Sequence, residues 1–402
     1  MSETMEASYG LPREVKFCKR CVMSNQRPSS VIETKHKHAS KKPTIVFDEE
    51  GVCSACRYAD IKEKINWQER EKELKELLDK YRRNDGYYDC VVPGSGGKDS
   101  GFVAHLLKYK YGMNPLTVTW APHLYTDIGF RNLQSWIHSG FDNILVTPNG
   151  KVHRLLTKLS FDNLLHPFQP FIIGQKIVAP RFSVLYNIPL VFFGESAVEY
   201  GNNIEEADCP TMALDFFAGE GDLSKLIVGG VSAKELVKDG KISLNDLNPY
   251  LPIPMKDLKR TGTVVHYFSY YYKWDPQEHY YYAVENTGLE ANTERTEGSY
   301  SKYCSIDDKI DPFHYYTTLI KFGIGRATYD AAQEIRNNKI TREEGVSLVR
   351  KYDSEFPKKY FKEFLGYIDI NEERFWELTD KFRSPHLWQK ENGQWRLRCQ
   401  VS

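Results

Sequence analysis

The sequence predicts an α/β fold: a parallel, doubly wound sheet with a small cysteine-bearing module before it and a helical region after it. Three observations predict it. Short apolar runs alternate with helical patterns between residues 90 and 193. A glycine-rich run, Ser95-Gly96-Gly97-Lys98-Asp99-Ser100, sits where the first apolar run ends and a helix begins. Two Cys-x-x-Cys pairs lie upstream of both. At 402 residues the chain exceeds one typical core. Four segments are therefore expected: a module over 1–60, an α/β domain over 61–205, a connector over 206–262, and a last strand with a helical region over 263–402.

In chain order, the module comes first. Cys18-Lys19-Arg20-Cys21 and Cys53-Ser54-Ala55-Cys56 each let two thiolates grip one tetrahedral ion at about 2.3 Å. Eight cysteines are too sparse for a disulfide scaffold in a chain this long. Cys18, Cys21, Cys53 and Cys56 are therefore expected to hold a structural zinc, with no open position left for catalysis. Thr44 to Phe47 reads as a short strand and Glu50-Gly51 as a turn leading into the second pair, as in zinc ribbons. The polar stretch from Lys35 to Lys42 reads as a surface loop, and its His36 and His38 are not needed as ligands. Cys90, Cys209, Cys304 and Cys399 read as small buried hydrophobes. From Asp60 to Arg83, Ile61, Ile65, Leu74, Leu77, Leu78 and Tyr81 recur near helical spacing and predict an amphipathic linker helix.

The first strand, Cys90 to Val92, runs into the glycine-rich turn, and a helix follows over Phe102 to Tyr111. Gly94, Gly96 and Gly97 let the backbone bend tightly and come close to an anion, while Ser95, Lys98 and Ser100 add donors. The helix aims its unpaired N–H groups and positive end at the same point. This is a phosphate site. Leu116 to Trp120 is the next strand, with Trp120 placed at the nucleotide. A helix over Gly129 to Ser139, a strand over Asn143 to Val146, helices over Val152 to Leu165 and Gly174 to Tyr186, and a strand over Leu190 to Phe193 complete the rhythm. Ligands of such sheets lie beyond the carboxyl ends of the strands, which marks the loop, Ala121 to Asp127 and Gly194-Glu195-Ser196. Glu195 is read either as a magnesium ligand alongside Asp99 or as an acid serving a helix dipole; Glu199 is read as the latter.

Residues 206–262 mix glycine, proline and charge around short helical pieces, and Thr263 to Tyr271 reads as a further strand. The aromatic-rich stretch from His266 to Tyr282 serves core packing, or stacks a sugar or base. Helices are expected over Tyr315–Ile320, Ala327–Asn337, Thr341–Tyr352, Pro357–Leu365 and Asn371–Phe382, with a capping box on Thr341 and Glu344. Lys321-Phe322-Gly323-Ile324-Gly325-Arg326 sets two cations around glycines, either a clamp for phosphate or carboxylate or a solvated helix end. Lys98, Asp99, Lys321 and Arg326 are the candidate catalytic residues.

Lys and Arg total 54, as do Asp and Glu, giving a formal net charge of +0, so no overall basic surface for nucleic acid is expected. No run approaches the roughly 18 apolar residues of a membrane span, and Met1 to Gly10 lacks an apolar leader core. A soluble, cytoplasmic protein is expected.

The loop spacing departs from Gly-x-x-x-x-Gly-Lys-Ser/Thr and resembles the PP-loop of ATP pyrophosphatases, which split ATP between its α- and β-phosphates. The twin cysteine pairs, this loop and the Lys321 to Arg326 string together resemble the N-acetyl sugar amidotransferase family of bacterial LPS O-antigen and flagellin-glycan biosynthesis, from Phe17 to Leu378. The resemblance implies an adenine nucleotide α-hydrolase-like sheet, ATP and Mg2+ as cofactors, and a nucleotide-sugar substrate whose acetamido group becomes acetamidino at the expense of ATP and ammonia. Residue 2 is serine, and no glutaminase-like cysteine site is evident. The resemblance therefore implies a separate glutaminase with a cyclase-like companion, similar to imidazole-glycerol-phosphate synthase subunits. The rival is a PP-loop tRNA thiolation enzyme, since some of these also carry Cys-x-x-Cys knuckles. Neutral charge and the lack of a C-terminal cysteine pair oppose it, and Cys209 is its one plausible persulfide carrier.

Overall fold

The computed structural model describes residues 6–240 and 242–402; Ser2 lies outside them. Strands β1 (Cys90–Pro93), β2 (Pro115–Trp120), β3 (Asn143–Val146) and β4 (Leu190–Phe193) join Val264–Tyr267 in one sheet, in the order β3-β2-β1-β4 and then Val264–Tyr267. Every pairing in it is parallel. Strand side chains alternate between the two faces. Val91, Val191 and Phe193 enter one core, whereas Cys90, Val92, Leu190 and Phe192 enter the other.

Helices α1 (Ser54–Lys62), α2 (Trp67–Tyr81), α3 (Lys98–His105), α4 (Asp127–His138), α5 (Gly150–Leu164) and α6 (Gln169–Tyr186) precede or connect these strands. α5 and α6 cover the first core through Leu156, Ile173 and Ile177, while α2, α3 and α4 cover the second through Leu74, Val103 and Trp136. The sheet is thus doubly wound. Its strand order reverses between β1 and β4, and the crevice opens at their carboxyl ends, where such sheets bind ligands.

Several elements depart from the sequence expectation for local reasons. The linker helix over Asp60 to Arg83 is two helices, because the Asn66 side chain caps α2 by accepting from the backbone of Gln68 and Glu69 at 3.2 and 3.3 Å. α6 starts at Gln169 rather than Gly174, with Pro170 in a first turn where its missing N–H leaves no bond unmade. Thr44 to Phe47 forms only isolated bridges, Pro28 with Thr44 and Phe47 with Cys53. A C-terminal hairpin, Trp388–Glu391 with Gln394–Leu397, turns on Asn392 and Gly393 at φ of 50° and 79°. Residues 206–262 supply Phe217, Val228, Leu236, Tyr250 and Ile253 to the first core.

The C-terminal region folds as helices Asp311–Phe322, Arg326–Arg336, Arg342–Tyr352, Phe361–Ile368 and Glu372–Lys381. Thr341 and Glu344 form the reciprocal capping box. Much of the aromatic-rich stretch packs inward, with Phe268, Tyr271 and Trp274 buried, while Tyr281 is exposed. No helix among the described residues is long and apolar enough to cross a membrane.

A buried ion pair bolts the N-terminal module to the sheet. Lys62 at the end of α1 reaches Glu199 Oε2 at 2.9 Å and the Trp274 carbonyl at 3.0 Å, and both charged side chains are at most 4% exposed. Arg336 donates to the Glu199 carbonyl at 3.2 Å. Glu199 is therefore structural. Replacing Glu199 by Leu strands the Lys62 ammonium and is expected to cost about 3–5 kcal/mol, whereas the double variant Lys62→Met/Glu199→Leu should recover most of it. Urea unfolding is the measurement, and equal losses in both would contradict the pairing.

Candidate active site

The bend between β1 and α3 is fixed by exclusion. A Cβ on Gly94 would lie 2.3 Å from Ser100 Cβ and 2.7 Å from the Trp136 ring. Gly96 holds φ at +83°, and a Cβ there would lie 2.6 Å from the Asn132 carbonyl oxygen. Gly97 is different: its nearest neighbour would be Ser95 Oγ at 3.7 Å, so its open side faces the cavity. Ser100 Oγ donates to the Gly97 carbonyl at 3.2 Å. The turn therefore presents α3's first N–H groups to a chamber of about 460 Å³ lined by residues 92–100.

Charge in the chamber is organised by Asp99. Its carboxylate pairs with Lys98 and accepts from Trp274 Nε1 and His279 Nδ1, each at 3.0 Å. Burial works against this carboxylate, but Lys98 and His279 outweigh it and hold its pKa well below the ordinary range. Lys98 is likewise opposed by burial and held protonated chiefly by Asp99. Glu195, past β4, lines the chamber and accepts from the Tyr200 hydroxyl at 3.0 Å; burial and the nearby Asp99 charge push its pKa up. Trp120 also lines the chamber, its ring lying against Gly174, where a Cβ would come within 2.2 Å.

The opposite wall comes from far along the chain. Cys304, Asp307, Asp311, Tyr315 and Arg326 all face the loop. Asp308 anchors this wall: it accepts from the His123 backbone at 2.8 Å, His123 Nδ1 at 2.7 Å and the Ile310 backbone at 2.9 Å. Gly129 lets the wall approach α4, since a Cβ there would lie 2.4 Å from Asp307 Cα. Burial raises the pKa of Asp307, with Asp308 adding to it, while Ser95 beside it works the other way. Burial pushes Asp311 up to about 7, against the pull of Arg326. Arg326 pairs with Asp330 at 3.0 Å and lies over the Tyr315 ring at 4.5 Å.

The four module cysteines form a second constellation. Their sulfurs lie within 4.8 Å of one another and are buried, with Cys18 to Cys56 at 3.9 Å and Cys21 to Cys53 at 3.7 Å. Four sulfurs about 2.3 Å from one ion stand about 3.8 Å apart, so the cage suits a single tetrahedral metal. Backbone N–H groups of Arg20 and Cys53 point at Cys18 Sγ at 3.4 and 3.3 Å, which favours thiolate charge. His36 instead meets Glu33 at 3.2 Å, and His38 packs edge-on against Phe382.

Of the residues singled out in the sequence, Gly94, Ser95, Gly96, Gly97, Lys98, Asp99, Ser100, Trp120, Glu195 and Arg326 line one chamber. Lys321 does not join Arg326 there. It lies in a neighbouring chamber, donating to the Leu164 carbonyl at 2.8 Å, because Gly323 at φ +66° ends one helix and Gly325 starts the next in a new direction. Cys209 is exposed, with its thiol on the Thr211 carbonyl at 3.3 Å, and is not part of the chamber wall. Sequence reasoning missed Cys304, Asp307, Asp311, Trp274 and His279. The signal available was the acidic run Asp307, Asp308, Asp311 leading into the first turn of a helix.

Sheet, switch point and loop together define a doubly wound α/β domain with a glycine-rich turn at its ligand-binding edge. Residues 297–401, which include the whole opposite wall, match the family described as LPS biosynthesis protein WbpG-like, C-terminal domain, in agreement with the family resemblance read from the motifs. Over 82 residues the chain is 35% identical to the uncharacterized protein MJ1599 of Methanocaldococcus jannaschii. That stretch is 20% of this chain and spans 29% of the relative's length. Solved structures with similar architecture include an NH3-dependent NAD synthetase from Campylobacter jejuni (13% identity, TM-score 0.27, 46% of this chain and 77% of that one). An NMN synthetase from Francisella tularensis gives 16% identity and a TM-score of 0.26 over 62% of this chain and 93% of its own. The U34-tRNA thiolase NcsA from Methanococcus maripaludis, with its [4Fe-4S] cluster, gives 15% and 0.29 over 88% and 90%. At these scores the likeness is a loose one of architecture.

Two outcomes follow from the geometry. Gly96→Ala should lose about 1–2 kcal/mol from its φ alone, whereas Gly97→Ala, whose Cβ would meet nothing closer than 3.7 Å, should keep the wild-type melting temperature; calorimetry of both variants checks this. Because the Asp311 pKa rises on folding, the folded state binds more protons than the unfolded chain between the ordinary carboxylate range and about 7. Stability should therefore fall as pH rises through that window, and Asp311→Asn should gain relative to wild type from pH ~5 to ~8. Thermal melts in which the difference between the two proteins does not change with pH would exclude it.

Proposed function

We propose that this chain is an ATP-dependent, AMP- and pyrophosphate-forming amidotransferase that converts the acetamido group of an N-acetylated, nucleotide-linked sugar into an acetamidino group, for bacterial surface polysaccharide or flagellin glycan. One observation carries this reading. The chamber opened by the phosphate loop is closed by Cys304, Asp307, Asp311, Tyr315 and Arg326, all within the segment that matches an LPS biosynthesis domain.

The chemistry suits these groups. An amide carbon is a poor electrophile, so the amide oxygen attacks the α-phosphorus and the bond to the β-phosphate breaks. Pyrophosphate leaves, and an imidate carrying AMP remains. Ammonia adds at the imidate carbon, AMP departs with the C–O electron pair, and loss of a proton from nitrogen yields the amidine. Loop amides, Ser95, Ser100 and Lys98 hold the departing pyrophosphate, and Arg326 balances charge from the opposite wall. Asp311, with a pKa of about 7, suits the role of accepting the ammonia proton.

Asp99 already accepts from two N–H donors and pairs with Lys98, whereas Glu195 and Asp307 line the chamber and, among the described residues, form no ion pair within 4.0 Å. These carboxylates would hold Mg2+, which when bound neutralises charge on the phosphates. Zinc is the ion we assign to the cysteine cage, on its donor set and spacing. Ammonia comes from a glutaminase with a cyclase-like companion, and the protein acts in the cytoplasm.

A second reading, tRNA thiolation, is favoured by Cys304, whose side chain lines the chamber beside Lys98 and Arg326. Burial and Asp330 raise its pKa, which disfavours the thiolate a sulfur carrier needs. The deciding experiment mixes protein, ATP, Mg2+, ammonium chloride and N-acetylated nucleotide sugars. Equal AMP and pyrophosphate with an amidine product are expected, lowered about 10²–10³-fold by Arg326→Gln and unaffected by Cys304→Ser. ADP and orthophosphate as products would refute the reading, and tRNA-dependent pyrophosphate release abolished by Cys304→Ser would establish its rival.

A further inference from the structure

A second chamber, of about 290 Å³, abuts the first, and the two share Ile172, Lys176, Glu195 and His314 as a common wall. Among its charged lining residues cations outnumber carboxylates: Arg27, Lys42, Lys176 and Lys321 against Glu33 and Glu195. Glu33 is already engaged, with His36 at 3.2 Å and His166 at 3.5 Å. Lys42 and Lys321 both approach the Phe322 ring, at 5.9 and 5.2 Å, so two ammonium groups crowd one small region. Among the described residues neither forms an ion pair within 4.0 Å, nor does Lys176. Arg27 is 4% exposed, and its Nε has no partner.

Glu33 and Glu195 offset these four cations only in part, and since enclosed charge left unbalanced is costly, the excess suits an anion. Burial, reinforced by Lys42 and only partly opposed by Glu33, drives the Lys321 ammonium toward losing its proton, a cost an anion would relieve. ATP has its own phosphate cradle in the loop next door. We propose that the second chamber binds the phosphate-bearing end of the acceptor, through Arg27, Lys42, Lys176 and Lys321, so that the acceptor's other end crosses the shared wall to the loop. That the anion belongs to the acceptor rests on the function proposed above; that an anion binds here does not.

Binding without turnover separates the two. UDP, CMP and inorganic pyrophosphate are titrated calorimetrically into the full chain, alone and with a saturating non-hydrolysable ATP analogue. UDP or CMP is expected to bind with the analogue present, and to bind at least tenfold more weakly to Lys42→Met and Lys321→Met, with analogue affinity unchanged within twofold. Both substitutions remove an unpaired cation, so melting temperatures should hold or rise, which verifies folding. Displacement of both nucleotides by the analogue, or undiminished binding to both variants, would overturn the site. Pyrophosphate binding there while neither nucleotide does would overturn the acceptor assignment.

Discussion

The structure depends on how closely the main chain can approach itself between β1 and α3. Gly94 nestles against Ser100 and Trp136, and Gly96 against the carbonyl of Asn132, so the bend is set by contact with α4 and not by the loop alone. Trp136 is fully buried in the core beneath. The phosphate cradle is thus seated on a packed surface, and its donors are aimed before any ligand arrives. Such preorganisation is what makes fixed dipoles effective, because nothing must reorient as charge develops.

A rigid cradle needs an opposing wall held with equal care. Asp308 supplies this: its two oxygens receive the backbone of His123, Leu124 and Ile310 and the ring of His123, pinning the distant acidic segment to the turn after β2. Asp307 and Asp311 can then face the chamber as carboxyls with raised pKa values, since their neighbour bears the structural burden. Three acids within five positions divide the labour between anchoring and chemistry.

What the sequence disclosed is what is local. The order of strands and helices, the phosphate turn and the two cysteine pairs are each written within a few residues, where periodicity and steric preference act directly. The strand order β3-β2-β1-β4 is not so written, nor is the wall opposite the loop, because both arise from contacts between segments far apart in the chain. An acidic run before a helix looks solvated until packing encloses it. Lys321 and Arg326 show the limit most plainly. They lie five positions apart, yet two glycines redirect the backbone and the side chains enter different cavities. Trp274 and His279 belonged to a stretch readable as core, and they are core, but they also hold Asp99 from behind.

The cysteine cage has an awkward birth. Its sulfurs leave the ribosome early, yet Ala331, Ala332, Val346 and Val401, which pack over them, are made near the end. Gln26 and His386, which join this module to the C-terminal segment at 2.9 Å, are separated by 360 residues. At 5–20 residues per second that interval is about 20 to 70 s. For that time the four thiols lack the apolar side chains that cover them in the folded chain, so this module is closed only once the C-terminal segment has been made.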